Sequence, residues 1–132
     1  RPEVSQMFGE LLGLWAVDCW HRLGSPSEIA LVELGPGRGT LMSDALRAIK
    51  SVPSFGEAAT LHMVEASEQL RKQQQEALPI APLFHNTIDT LPADQPLIIL
   101  SNEFFDLKYH RETSFCSNFQ KKLFGILLQI AL

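Results

Sequence analysis

Cysteine is scarce in this chain: Cys19 and Cys116 are the only two, far apart and without a metal-ligand spacing around either. A disulfide framework is not expected, no metal site is read, and a reducing compartment fits this usage better. No apolar run approaches the roughly 20 residues that a membrane-crossing helix needs. The most apolar stretch, Leu123 to Leu132 (LFGILLQIAL), has ten. It reads as a core element or an exposed tail. Excess charge of one sign is missing too. Eleven Lys and Arg stand against 15 Asp and Glu, for a net charge of −4 that steers the chain toward neither nucleic acid nor anionic lipid. Repeats and low-complexity tracts are absent. The start shows no basic stretch leading into an apolar one, so no signal peptide is read there. Without an initiator Met, the chain is expected to begin inside a longer protein.

What is present suits one globular domain. An apolar share of 45% and a charged share of 20% are ordinary, and 132 residues hold one sizeable core rather than two. Val4, Met7, Phe8, Leu11 and Trp15 form the apolar stripe of a helix over residues 2–22, with Pro2 and Glu3 suited to its first turn. Gly9 and Gly13 weaken that helix and suggest close packing against a neighbour. Ser25-Pro26-Ser27 is a loop. Ile29 to Leu34 (IALVEL) reads as a strand buried on both faces, as in a parallel sheet. A helix follows over Thr40 to Lys50, then a connection over Val52 to Glu57. Thr60 to Val64 is the second strand, and Ser67 caps a polar helix that Pro79 stops near Leu78. Ala81 to Phe84 is a weak third strand and Leu97 to Leu100 a fourth. Strands alternating with helices predict an α/β fold around a mostly parallel sheet.

Gly35, Gly37 and Gly39 lie between the first buried strand and the following helix. Glycines there permit positive φ and let the backbone approach a ligand, at the strand edge where open α/β sheets bind them. The spacing is G-x-G-x-G, whereas the dinucleotide fingerprint is G-x-G-x-x-G, and the phosphate-cradling P-loop pattern is absent. A ligand without a pyrophosphate is favoured. Glu33 fits this, because a carboxylate suits an amino group better than a phosphate. Glu65, closing the second strand, suits a ribose, whose two hydroxyls can donate to it. The plainer alternative is that Glu33 and Glu65 merely end their strands in solvent.

Three blocks carry a resemblance: Pro2 to Glu10 (PEVSQMFGE), Leu31 to Met42 (LVELGPGRGTLM) with His62 to Ala66 (HMVEA), and Ser101 to Asp106 (SNEFFD). On these the chain resembles the MidA family of class I S-adenosylmethionine-dependent methyltransferases. Its mitochondrial members are arginine methyltransferases that assist assembly of respiratory complex I. The resemblance implies a Rossmann-like seven-strand sheet with S-adenosyl-L-methionine over its carboxyl edge. It implies that Glu33, Gly35, Gly37 and Gly39 hold the methionyl portion, Glu65 the ribose, and the stretch from Asn86 to Asp89 the adenine side. Ser5, Gln6 and Glu10 would face the cleft, with a solvated helix face as the alternative. Asn102, Glu103 and Asp106 would stand at the mouth of the active site, where a carboxylate pair can grip a guanidinium and support its proton loss. Against that stands a strand-end cap.

Past Asp106 the likeness stops. Residues 1–106 are expected to form a partial cofactor-binding domain, truncated after about the fourth strand. Residues 107–132 are expected to be a divergent tail, mispredicted or disordered, of a chain that is itself a fragment. Two other functions compete: a non-catalytic assembly factor that retains the fold, and an NAD-dependent oxidoreductase. The compartment is the cytoplasm if the source is bacterial and the mitochondrial matrix if it is eukaryotic.

Overall fold

Ile29–Leu34 forms the central strand, β1, and all six of its residues are buried, as a parallel strand covered on both faces requires. It pairs in parallel with β2 (Ala59–Val64) on one side and β4 (Leu97–Asn102) on the other. β3 (Leu83–His85) joins β2, and β5 (Leu127–Ile130) joins β4, also in parallel. The five-stranded order is β3-β2-β1-β4-β5. The computed structural model describes residues 2–102 and 127–130, with side chains from Gln6 to Ser101.

Four helices complete the described fold: α1 (Pro2–Arg22), α2 (Thr40–Ile49), α3 (Pro53–Ala58) and α4 (Glu68–Ala77). β1 sends Ile29 and Leu31 to one face, where they meet Ala16, Val17 and Trp20 of α1 and Met42, Ala45 and Ile49 of α2. Ala30, Val32 and Leu34 go to the other, with Leu97, Ile99 and the Ile88–Leu91 turn. This alternation is the two-residue period of a strand.

Several sequence expectations shift. The expected parallel sheet is present through its fourth strand, and the apolar stretch at Leu123–Leu132, read as a core element or a tail, adds β5 beside β4. The third strand lies at Leu83–His85 rather than Ala81–Phe84, because Pro82 has no N–H to give a ladder. The expected connection at Val52–Glu57 holds α3, with Pro53 in its first turn and Phe55 fully buried beneath it. A proline there sacrifices no hydrogen bond.

The largest correction concerns α1. Its bounds match the expected 2–22, but Met7 and Leu11 are 63% and 61% exposed. The buried face instead runs through Gly9, Leu12, Gly13, Ala16, Val17 and Trp20. A Cβ on Gly9 would stand 2.6 Å from the Asp44 Cβ, and one on Gly13 2.4 Å from the Ala45 carbonyl oxygen. α1 therefore meets α2 backbone to backbone, at positions that carry no apolar side chain for a periodicity to register. Gly9 faces Leu41 and Asp44 while Gly13 faces Ala45, so the two helices run in the same sense.

Gly13→Ala should lower stability by about 1–3 kcal/mol through overpacking, even though alanine favours a helix by up to about 1 kcal/mol. Gly56, in α3, has open space around it, and Gly56→Ala should raise stability by about 0.5–1 kcal/mol. Urea unfolding midpoints of the two variants should move in opposite directions.

Candidate functional site

All strands run the same way, so the segments that follow them leave at one edge. Leu34 is in register with Val64 and Ser101, and Val64 with His85. The glycine loop, Glu65 and Asn86 therefore emerge side by side. The strand order reverses between β1 and β4, which makes this the switch point where open sheets take ligands.

Gly35, Gly37 and Gly39 have φ of 60°, 58° and 83°, the left-handed region that favours glycine. The Gly35 N–H donates to the Val64 carbonyl (3.2 Å) and the Gly39 N–H to that of Pro36 (2.9 Å), and Gly39 caps α2. Gly37 and Gly39 do different work. A Cβ on Gly37 would meet nothing within 4 Å, so its face is open to a ligand. One on Gly39 would press on the Gln74 Cα at 3.2 Å. Gly39 admits α4.

Glu65 is half-buried at the end of β2. Its Oε2 accepts from the Ser67 N–H at 3.1 Å, and its Oε1 accepts from Gln74 Nε2, also at 3.1 Å. The same Nε2 donates to the Gly37 carbonyl at 2.7 Å. Arg71 donates from Nε to the Glu65 carbonyl (2.5 Å) and from Nη2 to the Asn86 Oδ1 (2.8 Å). Ser67 caps α4 as expected, its Oγ accepting from the Leu70 N–H. Gln74 and Arg71 were missed. Leu70 and Leu78 at i−4 and i+4 mark the inward face of a helix. That spacing selects Gln74 from the run Gln73-Gln74-Gln75.

Glu33 follows Ile29 and Leu31 on the face of β1 that α1 and α2 cover. It is 1% exposed, and its Oε1 has no hydrogen-bond partner. Burial raises its pKa from the ordinary 4.5 to about 8, since a charge without water or a counter-ion is penalised. The solvent-exposed alternative for Glu33 does not hold.

Asn86 joins the cluster through Arg71. Asp89 lies in the 3-10 turn Ile88–Thr90, where its carboxylate accepts from the Thr87 hydroxyl at 3.3 Å. An open cavity of about 690 Å³ beside them is lined by Arg71, Phe84, His85, Asn86, Thr87 and Thr90. Sequence reasoning also missed a histidine pair. His62 Nδ1 and His85 Nε2 are 2.8 Å apart, and His85 Nδ1 lies 2.6 Å from the Thr90 hydroxyl. Burial, then the facing His85, pushes His62 down to about 4; burial and Arg71 lower His85.

Gln6 is drawn to Glu10, and Glu10 to α2. The Gln6 amide donates to Glu10 Oε1 (3.4 Å), and Arg47 bridges Glu10 (3.3 Å) and Asp44 (3.0 Å). Among described contacts, neither touches the glycine loop. Ser5 lies in α1, and Asn102 ends β4 in register with Ile130. Their side chains, and Glu103 and Asp106 entirely, lie outside the described residues.

Residues 11–111 match the family model of S-adenosyl-L-methionine-dependent methyltransferases. The chain is 47% identical over 96 residues to the mitochondrial protein arginine methyltransferase NDUFAF7 homolog of Drosophila melanogaster, a match covering 73% of this chain and 20% of the relative. It is 45% identical over 75 residues to the mitochondrial protein arginine methyltransferase NDUFAF7 of Homo sapiens, covering 55% and 17%. It thus spans about a fifth of the length of the curated relatives it matches. A Burkholderia thailandensis protein solved with S-adenosyl-homocysteine superposes with a TM-score of 0.60 at 24% identity, over 77% of this chain and 26% of that one. The plantazolicin methyltransferase BpumL, in complex with the same molecule, gives 0.64 at 16% identity over 99% and 48%. These likenesses establish a Rossmann-like methyltransferase fold.

Two measurements test the site. Gly39→Ala should cost about 1–3 kcal/mol by combining a left-handed φ with pressure on α4, read as a drop in Tm. Glu33 favours its neutral form in the fold, so the stability it contributes is fully present below the ordinary 4.5 and is lost as pH rises through about 8. His62 and His85, lowered by burial, act in the opposite sense below the ordinary 6.5. The decline is therefore read as the difference in unfolding free energy between wild type and Glu33→Gln from pH 5 to pH 8. That difference should fall by at most about 1.4 kcal/mol per pH unit.

Proposed function

We propose, because the chain belongs to the S-adenosyl-L-methionine-dependent methyltransferase family, that its carboxyl edge holds S-adenosyl-L-methionine for transfer of a methyl group to protein arginine. The observation that carries the reading is the Glu65 carboxylate, fixed by two donors beside a glycine loop whose Gly37 faces open space. The fit is supported by the buried, unpartnered Oε1 of Glu33. A carboxyl group in that state gains most from a ligand that brings its own ammonium group. When bound, the cofactor supplies an electrophilic methyl group on a sulfonium centre.

The chain's residues then divide the work. Glu33 with Gly35, Gly37 and Gly39 receives the methionyl part, Glu65 the ribose hydroxyls, and Asn86 and Asp89 the adenine side. Asn102, Glu103 and Asp106 are assigned to the substrate. An arginine side chain stays protonated, with a pKa above roughly 12. Glu103 and Asp106 would hold the guanidinium, aim one nitrogen and support proton loss as the new bond forms. Glu10, tied to Arg47, and Gln6, bonded to Glu10, stand with Ser5 on the part of α1 assigned to the cleft. Residues 1–106 serve as the partial cofactor domain and 107–132 as a divergent continuation, of which Leu127–Ile130 joins the sheet as β5.

The animal relatives are named mitochondrial protein arginine methyltransferases, which supports the mitochondrion over the bacterial cytoplasm and a protein as the substrate. A subunit of respiratory complex I is the substrate that the family resemblance implies. No described helix is long and apolar enough to cross a membrane. Family membership removes the dehydrogenase alternative. A non-catalytic assembly role stays in play because the chain spans so little of its relatives' length; it predicts cofactor binding without transfer.

Equilibrium dialysis of the folded chain with labelled S-adenosyl-L-methionine should show saturable binding. Gly37→Val should weaken it at least about tenfold by filling the open face of the loop. Absence of saturable uptake by wild type would refute the assignment.

A further inference from the structure

Gln74 has no exposed surface, while Gln73 and Gln75 on either side face solvent. Its Nε2 donates at once to the Gly37 carbonyl (2.7 Å) and to Glu65 Oε1 (3.1 Å). Both neighbours are acceptors only, so the amide orientation is fixed by its partners. Its own Oε1 is buried with no partner. Methionine or leucine would fill similar space without that orphaned oxygen, so packing does not explain an amide here. The amide connects two things: the loop segment with the open face, and the carboxylate beside it.

The consequence for Glu65 is geometric. Ser67 holds Oε2 and Gln74 holds Oε1, one donor to each oxygen. A carboxylate has about four acceptor sites, so each oxygen keeps one, and the pair is locked in direction. A vicinal diol presents two donors with just such a fixed separation. The absence of a Cβ on Gly39 brings α4 close enough for this reach.

We propose that Gln74 is a positioning residue that ties the glycine loop to Glu65, so that the site selects a nucleoside cofactor with an intact ribose diol. The inference rests on the S-adenosyl-L-methionine reading above and adds a residue that acts through Glu65 rather than on the ligand.

Calorimetric titration of the full chain with S-adenosyl-homocysteine and with its 2′,3′-dideoxy analogue tests it, using wild type, Gln74→Met, Gln74→Leu, Glu65→Gln and the Gln74→Met/Glu65→Gln double variant. Circular dichroism checks the fold of each. The expected result is a loss of about tenfold for S-adenosyl-homocysteine in Gln74→Met and Gln74→Leu, and of less than about twofold for the analogue. Placed on Glu65→Gln, the Gln74→Met change should cost less than about twofold more. Equal losses for both ligands, or additive losses in the double variant, would overturn the proposal, since a purely structural role predicts them. Unchanged affinity in a Gln74 variant would overturn it while leaving the cofactor assignment standing. Unfolding of both Gln74 variants would also overturn it, because the amide would then be needed for the fold itself. Wild type that binds neither ligand removes both readings together.

Discussion

A chain leaving a buried parallel strand has to turn onto a helix within a few residues, and here it does so through three left-handed glycines, Gly35, Gly37 and Gly39. Each would cost an ordinary residue roughly 1 kcal/mol or more. The neighbouring parts are arranged around that turn. The Gly35 N–H reaches across to Val64, which holds the loop to β2. Gly39 starts α2 and leaves room for α4. Gln74 then reaches back to Gly37 and outward to Glu65. A side chain at any of the three glycines alters a backbone angle first and a packing or ligand contact second.

Two glutamates stand at the ends of adjacent strands and live under opposite conditions. Glu65 is half-buried and accepts from Ser67 and Gln74. Glu33 is almost wholly buried, has one oxygen without a donor, and titrates near 8. The fold therefore supplies a ready acceptor at one position and an unmet demand for positive charge at the other. A ligand with a diol at one end and an ammonium group at the other answers both.

The strands were legible because a parallel sheet buries its strands on both faces, so that Ile29–Leu34 and Leu97–Leu100 read as nearly unbroken apolar runs. The polar helix was legible through Ser67 and Pro79. What escaped notice shares one property: the information lay in what a residue lacks or touches, and spacing does not encode that. The α1 stripe misled because the contact falls on Gly9 and Gly13, leaving Met7 and Leu11 outside. At the site, the glycines and the two glutamates announced themselves by position after strands. Gln74 looked like one of three equivalent glutamines, and His62 and His85 are 23 residues apart and meet only across β2 and β3. Glu10 and Gln6 read as cleft residues by position on the helix, whereas the bond of Glu10 to Arg47 and that of Gln6 to Glu10 are not encoded by spacing.

The glycine contact between α1 and α2 has a mechanical meaning. Side chains that interdigitate can change rotamer and absorb a displacement, whereas Gly9 and Gly13 leave no compliant layer between the two helices. A displacement of α1 relative to α2 at these positions meets backbone directly, and α2 itself begins at Gly39, the residue that caps it and lies against α4.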